Sequence, residues 1–157
     1  MSNAQNNTEK FDVLTLQPQL KITLSEVHDD DGDVEGNGAD FYAKVWIEGS
    51  LVGNTAVFDN NNNHIYPNWE FTKIYPLSHY PTTIPIQIQI FDQDTVYDDQ
   101  VDINPNRGET LHLYLDTNLR QVTGDGIQGY QSVGDWIAIG EDDTGDDARI
   151  QFKVDWK

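Results

Sequence analysis

Five carboxylates fall within the eleven residues from Asp92 to Asp102, in the stretch Phe91-Asp92-Gln93-Asp94-Thr95-Val96-Tyr97-Asp98-Asp99-Gln100-Val101-Asp102. Val96 and Tyr97 interrupt them at the centre. Like charges so close raise one another's pKa unless a counter-ion relieves the repulsion. A hard cation does this well: calcium accepts six to eight oxygen ligands in flexible geometry, and Asp-x-Asp on a tight loop aims two carboxylates at one point. The stretch reads as half of a calcium site.

The other half is sought among the remaining acidic and amide-rich segments. His28 to Asp40 carries Asp29, Asp30, Asp31, Asp33, Glu35 and Asp40, and Asp59 to His64 is rich in Asn. Between these segments apolar residues recur at every second position, as a half-buried strand requires. Leu20 to Val27, Phe41 to Glu48, Thr110 to Leu115 and Ala148 to Trp156 alternate, as does Ile84-Pro85-Ile86-Gln87-Ile88-Gln89-Ile90 before the key loop. Gly49-Ser50 makes a turn between Phe41–Glu48 and a partner strand from Leu51 to Phe58. Phe11 to Leu16, Asn68 to Ile74 and Trp136 to Ile139 read as further strands, and Asp116 to Ser132 is ambiguous.

No amphipathic helix of ten or more residues is apparent. The expected fold is therefore all-β, an antiparallel eight-stranded (seven to nine) β-sandwich. Residues 1–10 read as a tag remnant (Met1 to Ala4) with a loose N-terminus, and residues 11–157 as one sandwich domain. In such a sandwich every second loop sits at the same end. The loops at 28–40, 59–67 and 92–102 should then share one apex.

Composition narrows the function. A net charge of -18, from 27 acids and 9 bases, argues against nucleic acid, whose phosphates need Lys and Arg. It also opposes unassisted binding to anionic lipid and favours bound cations or a solvated acidic surface. No apolar run is long enough to span a bilayer as a helix. Without cysteine there are no disulfides, thiolate zinc sites or Cys nucleophile.

Three segments resemble a known family. Ala39-Asp40-Phe41-Tyr42-Ala43-Lys44-Val45 resembles the segment after the first calcium loop of C2 domains, where an Asp ligand precedes a strand of the form Pro-Tyr-Val-Lys-Val. Tyr66-Pro67-Asn68-Trp69-Glu70-Phe71 is similar to their Asn-Pro-x-Trp-Asn-Glu-x-Phe element. Phe91-Asp92-Gln93-Asp94, with the later Asp98-Asp99, is similar to their aromatic-Asp-x-Asp loop. The likeness runs from about Leu20 to Pro105, and the chain after Asn106 departs from the pattern.

The resemblance implies a C2-like sandwich in which Asp40, Asp92, Asp94 and Asp99 are side-chain ligands to Ca2+. The usual first-loop partner position, six before Asp40, is Val34, so Asp33 or Asp31 must serve through a longer loop. The third loop is one residue short, which leaves both Asp98 and Asp99 open as its late ligand. C2 domains commonly dock on phospholipid through apolar loop tips, and Val34, Val96 and Tyr97 hold those positions.

Other chemistries fit less well. Asp29, Asp31, Asp33 and Asp40 match an EF-hand's carboxylate spacing, but Val34 stands where that loop needs Gly and both flanks read as strands. The four His (His28, His64, His79, His112) lack metal spacing, and the four Trp read as core or edge packing. Glu141 to Asp147 reads as a charged hairpin turn. No nucleophile elbow or phosphate loop occurs, so no enzyme is expected.

The expected function is a non-catalytic calcium-binding module, secreted or at the cell surface, that attaches to membrane or another macromolecule. The alternative is a secreted sandwich with a purely structural calcium that binds carbohydrate or protein.

Overall fold

A computed structural model describes residues 16–29, 39–58, 63–94, 97–106, 108–140 and 148–157. Two antiparallel sheets face each other, and among the described residues there is no helix. The strands in chain order are β1 (Gln19–Asp29), β2 (Phe41–Ile47), β3 (Ser50–Asn54), β4 (His64–Ile65), β5 (Trp69–Ile74) and β6 (Thr83–Asp92). There follow β7 (Asp99–Val101), β8 (Leu111–Asp116), β9 (Gln121–Gly124), β10 (Gln131–Ser132), β11 (Trp136–Gly140) and β12 (Ala148–Trp156). Eight of these are five residues or longer, the number expected for the sandwich; β4, β7, β9 and β10 are short pieces added to it.

The first sheet runs β11-β12-β1, with β5 and β4 sharing the far edge of β1. There β5 takes Gln19 to Leu24, and β4 takes Val27 and His28. The second runs β10-β9-β8-β6-β2-β3, with β7 continuing along β6 beyond the end of β8. Between them lies the core, in which Leu20, Ile22, Leu24, Phe152 and Trp156 of the first sheet meet Phe41, Val45, Ile86, Ile88, Leu113 and Leu115 of the second.

The alternation of β1 is interrupted at one point. Leu20, Ile22 and Leu24 point inward, but the next apolar residue, Val27, comes three positions later. A bulge between Leu24 and Glu26 takes up the extra residue. Ser25 Oγ secures it by donating toward the Gln151 carbonyl at 3.2 Å and Gln151 Oε1 at 3.0 Å. Val27 and Asp29 then face inward and are buried. The bulge thus decides which acidic residue ends β1 on the core side.

Other boundaries differ from the alternation pattern. The hairpin turn sits at Glu48-Gly49, both with positive φ (53° and 72°), as a tight right-twisted hairpin demands. β3 stops at Asn54, and Phe58 rejoins the sheet through a single bridge to Phe41. Of the strand expected at Phe11 to Leu16, only Leu16 lies among the described residues, exposed and outside any strand. The ambiguous region resolves into β9 and β10, which extend β8 outward.

A candidate cation-binding rim

Strand ends meet at one pole of the sandwich. Asp29, at the end of β1, donates its N–H to the Asn63 carbonyl at 2.8 Å, joining the first loop to the second. Phe41, at the start of β2, pairs with Asp92 at the end of β6 and bridges to Phe58. Gln93 N–H donates to the Asp40 carbonyl at 3.1 Å, joining the first loop to the third. The described ends of the three loops expected at a common apex therefore meet at one pole.

A fourth segment is rooted there too. Ala148 N–H donates to the Asp102 carbonyl at 2.8 Å, and Ala148 pairs with Asp29, so Gly140 and Ala148 bring the ends of β11 and β12 to this rim. Residues 141–147 between them, read from sequence as an ordinary charged turn, lie outside the described residues. The four segments 28–40, 59–67, 92–102 and 141–147 contain seventeen of the 27 acidic residues and none of the nine Lys and Arg. The charge imbalance of the chain is concentrated on segments rooted at one end.

Among the described candidate ligands Asp92 is the most enclosed, at 5% exposure. Its Oδ1 accepts the backbone N–H of Asp40 at 2.6 Å. Burial pushes its carboxyl up; the N–H groups of Asp40 and Gln93 pull it down, while the charges of Asp94 and Asp40 push it up again. The net effect leaves Asp92 above its ordinary range, chiefly because it is buried, with the neighbouring carboxylates adding to the shift.

Asp99 lies directly across the β6-β7 ladder from Asp92. Asp94 is exposed just beyond. Asp98 takes a different partner: its Oδ2 accepts the Tyr42 hydroxyl at 2.7 Å. Tyr97 is 80% exposed, as a loop-tip contact residue would need to be. Asp31, Asp33, Val34 and Val96 lie outside the described residues.

Two features at the rim were not anticipated from the sequence. Asp29 is a buried carboxylate at 4% exposure, and its inward placement follows from the bulge that resets the strand's parity. Tyr42 is a partner of the third loop; its place two residues after Asp40 gave no hint of that, because the contact crosses between strands.

The donor chemistry suits a hard cation. Asp40, Asp92, Asp94 and Asp99 offer carboxylate oxygens alone, the set that calcium or magnesium prefers over zinc. Among the described residues, however, no three His, Asp or Glu side chains are gathered as a metal-holding group. Asp92 Oδ1 is turned to Asp40 N–H and Asp98 Oδ2 to the Tyr42 hydroxyl.

The fold defines a class of two-sheet antiparallel β-sandwiches. The C2 domain family model matches residues 18–112, and the chain belongs to that family. Among solved structures, a C2 domain aligns with a TM-score of 0.57 at 17% identity, covering 89% of this chain and 98% of its own. The structure of the two tandem C2 domains of extended synaptotagmin 2 aligns at 0.56 and 16% identity, over 99% of this chain; the match spans 46% of that longer chain. A C2 domain protein from Ramazzottius varieornatus gives 0.56 at 11% identity, over 90% and 88%. No curated protein matches in sequence. At these identities the structural likeness carries the fold.

Proposed function

We propose that this chain is a non-catalytic calcium-binding C2 module. In this reading Asp40, Asp92, Asp94 and Asp99, with Asp31 or Asp33 from the first loop, take up roughly one to three Ca2+ ions. The observation that carries it is the 2.6 Å bond from Asp40 N–H to Asp92 Oδ1, which binds the first and third acidic loops to each other. Carboxylates from distant parts of the chain are thereby crowded at one pole, and a divalent ion relieves the repulsion.

Loading would reverse the local potential and let the rim approach phosphate headgroups. Val34, Val96 and Tyr97 would then enter the lipid as apolar tips. Affinity of about 10⁻⁴–10⁻³ M, usual for extracellular modules, would suit a secreted or cell-surface setting.

The test is a thermal melt in calcium, magnesium and chelator, on the parent and on the Asp92→Asn/Asp94→Asn double variant. Calcium at about a hundred times its dissociation constant should add roughly 2.7 kcal/mol to the parent and nothing to the variant. An equal response in both would refute the ligand assignment, and no response in either would refute the calcium reading.

One observation favours a second reading, a structural ion with a glycan ligand. Trp136 is 49% exposed on the edge strand β11, with Lys153 Nζ 5.1 Å from its ring centroid. An exposed indole beside a cation is a workable sugar platform. Glycan-array binding lost in Trp136→Ala would favour it.

A further inference from the structure

The two-residue period of a strand separates Asp98 from Asp99. Asp92 pairs with Asp99 and Phe91 with Gln100, so Asp99 falls on the side of Asp92; Asp98, the residue just before β7, reaches the side of Phe91, where the Tyr42 hydroxyl meets it. In β2 the same period puts Tyr42 on that outer side, since Phe41 and Ala43 are fully buried in the core and Tyr42 pairs with Phe91. The Tyr42 ring stacks on Phe91 with centroids 5.0 Å apart and 11° between planes. Lys44 Nζ lies 4.0 Å from the Phe91 centroid and 5.3 Å from that of Tyr42. Tyr42 is held on both strands' terms, at 6% exposure, and its hydroxyl reaches Asp98 Oδ2 at 2.7 Å.

A neutral phenol can give one hydrogen bond to a carboxylate without adding charge. Here it ties the returning arm of the third loop to β2, next to the bond that ties the outgoing arm, Asp92, to Asp40. Both arms are thus clamped to β2 and to Asp40, the residue just before it. We propose that Tyr42 is the positioning residue of the rim: it holds Asp98 on the outer face of the second sheet, out of the ligand set, and so presents Asp99 beside Asp92. This rests on the calcium reading above. Tyr42 itself touches no ion. It acts by fixing the register of a loop that is one residue short.

The experiment is calcium titration calorimetry on Tyr42→Phe, Asp98→Asn, their double variant and Asp99→Asn. It is joined to amide hydrogen exchange of the third loop in chelator. Asp99→Asn should abolish the binding heat. Tyr42→Phe and Asp98→Asn should each weaken binding by about tenfold, the usual scale for a group that orients a ligand. The double variant should be no worse than either single one, because both remove the same bond.

Loss of all binding in Asp98→Asn, or unchanged binding in Tyr42→Phe, would overturn the proposal. Should the parent give no calcium heat, the calcium reading fails, and with it any role for Tyr42 in presenting a ligand. The exchange experiment then still reports on the clamp itself: faster exchange at Asp99 and Gln100 in Tyr42→Phe confirms it, and unchanged exchange excludes it.

Discussion

The backbone N–H of Asp40 donates to the side chain of Asp92 across 52 positions of sequence, at 2.6 Å. The bond is made to a carboxylate whose ionisation is opposed by burial and by the charges of Asp94 and Asp40. A carboxyl raised in the folded state binds its proton more tightly there than in the unfolded chain. Stability therefore falls as pH rises from the unfolded value toward the raised one, and the full penalty applies above it. Asp92→Asn keeps an oxygen for Asp40 N–H but removes the charge. In chelator at pH 7 the variant should melt higher than the parent, by about 2 °C for a chain of this size. The gain should shrink as pH falls through the carboxylate range and vanish once Asp92 is protonated in the folded and the unfolded chain alike. A lower melting temperature at pH 7 would show that the charge stabilises the rim.

Tyr97 should be separable from the ion site. At 80% exposure it supports nothing in the fold, so Tyr97→Ala should change stability by no more than about 0.5 kcal/mol. Calcium affinity should be unchanged, while calcium-dependent pelleting with phosphatidylserine vesicles is lost. Pelleting equal to that of the parent would remove Tyr97 from the docking surface.

Asp125 ties the segment from Asn104 to Asn106 to the start of β8. Its carboxylate accepts Asn104 Nδ2, Asn106 Nδ2 and His112 N–H, each at 2.9 Å, and faces His112 Nδ1 at 3.2 Å. Burial pushes the carboxyl up, but the donors of His112 and Asn106 outweigh it and the net shift is downward. A depressed folded value gives stability that is present above the unfolded carboxylate range and lost as pH falls through the folded value. Asp125→Ala should cost about 2 kcal/mol in urea unfolding at pH 7. The deficit should shrink as pH falls below the ordinary carboxylate range and through the lower folded value, as the parent loses the same charge.

Gly124 should tolerate no side chain. Its φ of 136° lies outside the range L residues adopt, and a Cβ there would collide with the His112 carbonyl and Leu113 Cα. Both are backbone atoms of β8, which cannot yield without breaking the β8-β9 pairing. Gly124→Ala should lower stability by about 3 kcal/mol or more, read by chemical denaturation.

Much of this molecule was open to reading from residue order. Alternation in Leu20–Leu24, Phe41–Ile47, Ile84–Ile90 and Ala148–Trp156 reports directly which residues lie on one face, because a strand repeats every two residues. The acidic clusters and the aromatic-Asp-x-Asp loop are likewise local patterns, and three motifs in order sufficed to suggest the family. The segment from Asp116 to Ser132 resisted because β9 and β10 are four and two residues long. Strands that short carry no periodicity; the partner β8 and the Asp125 network define them.

Tertiary structure alone decided what depends on pairing between distant strands. Residue order left Asp98 and Asp99 as alternatives; in the fold Asp99 pairs with Asp92, while the Tyr42 hydroxyl donates to Asp98. The bulge at Ser25 absorbs the three-residue step from Leu24 to Val27, and Asp29 is buried beyond it. Residue types and spacing set the chemistry available to each loop, since charge and side-chain period are local properties. Which carboxylates meet is a property of cross-strand register, and that exists only once both sheets have formed.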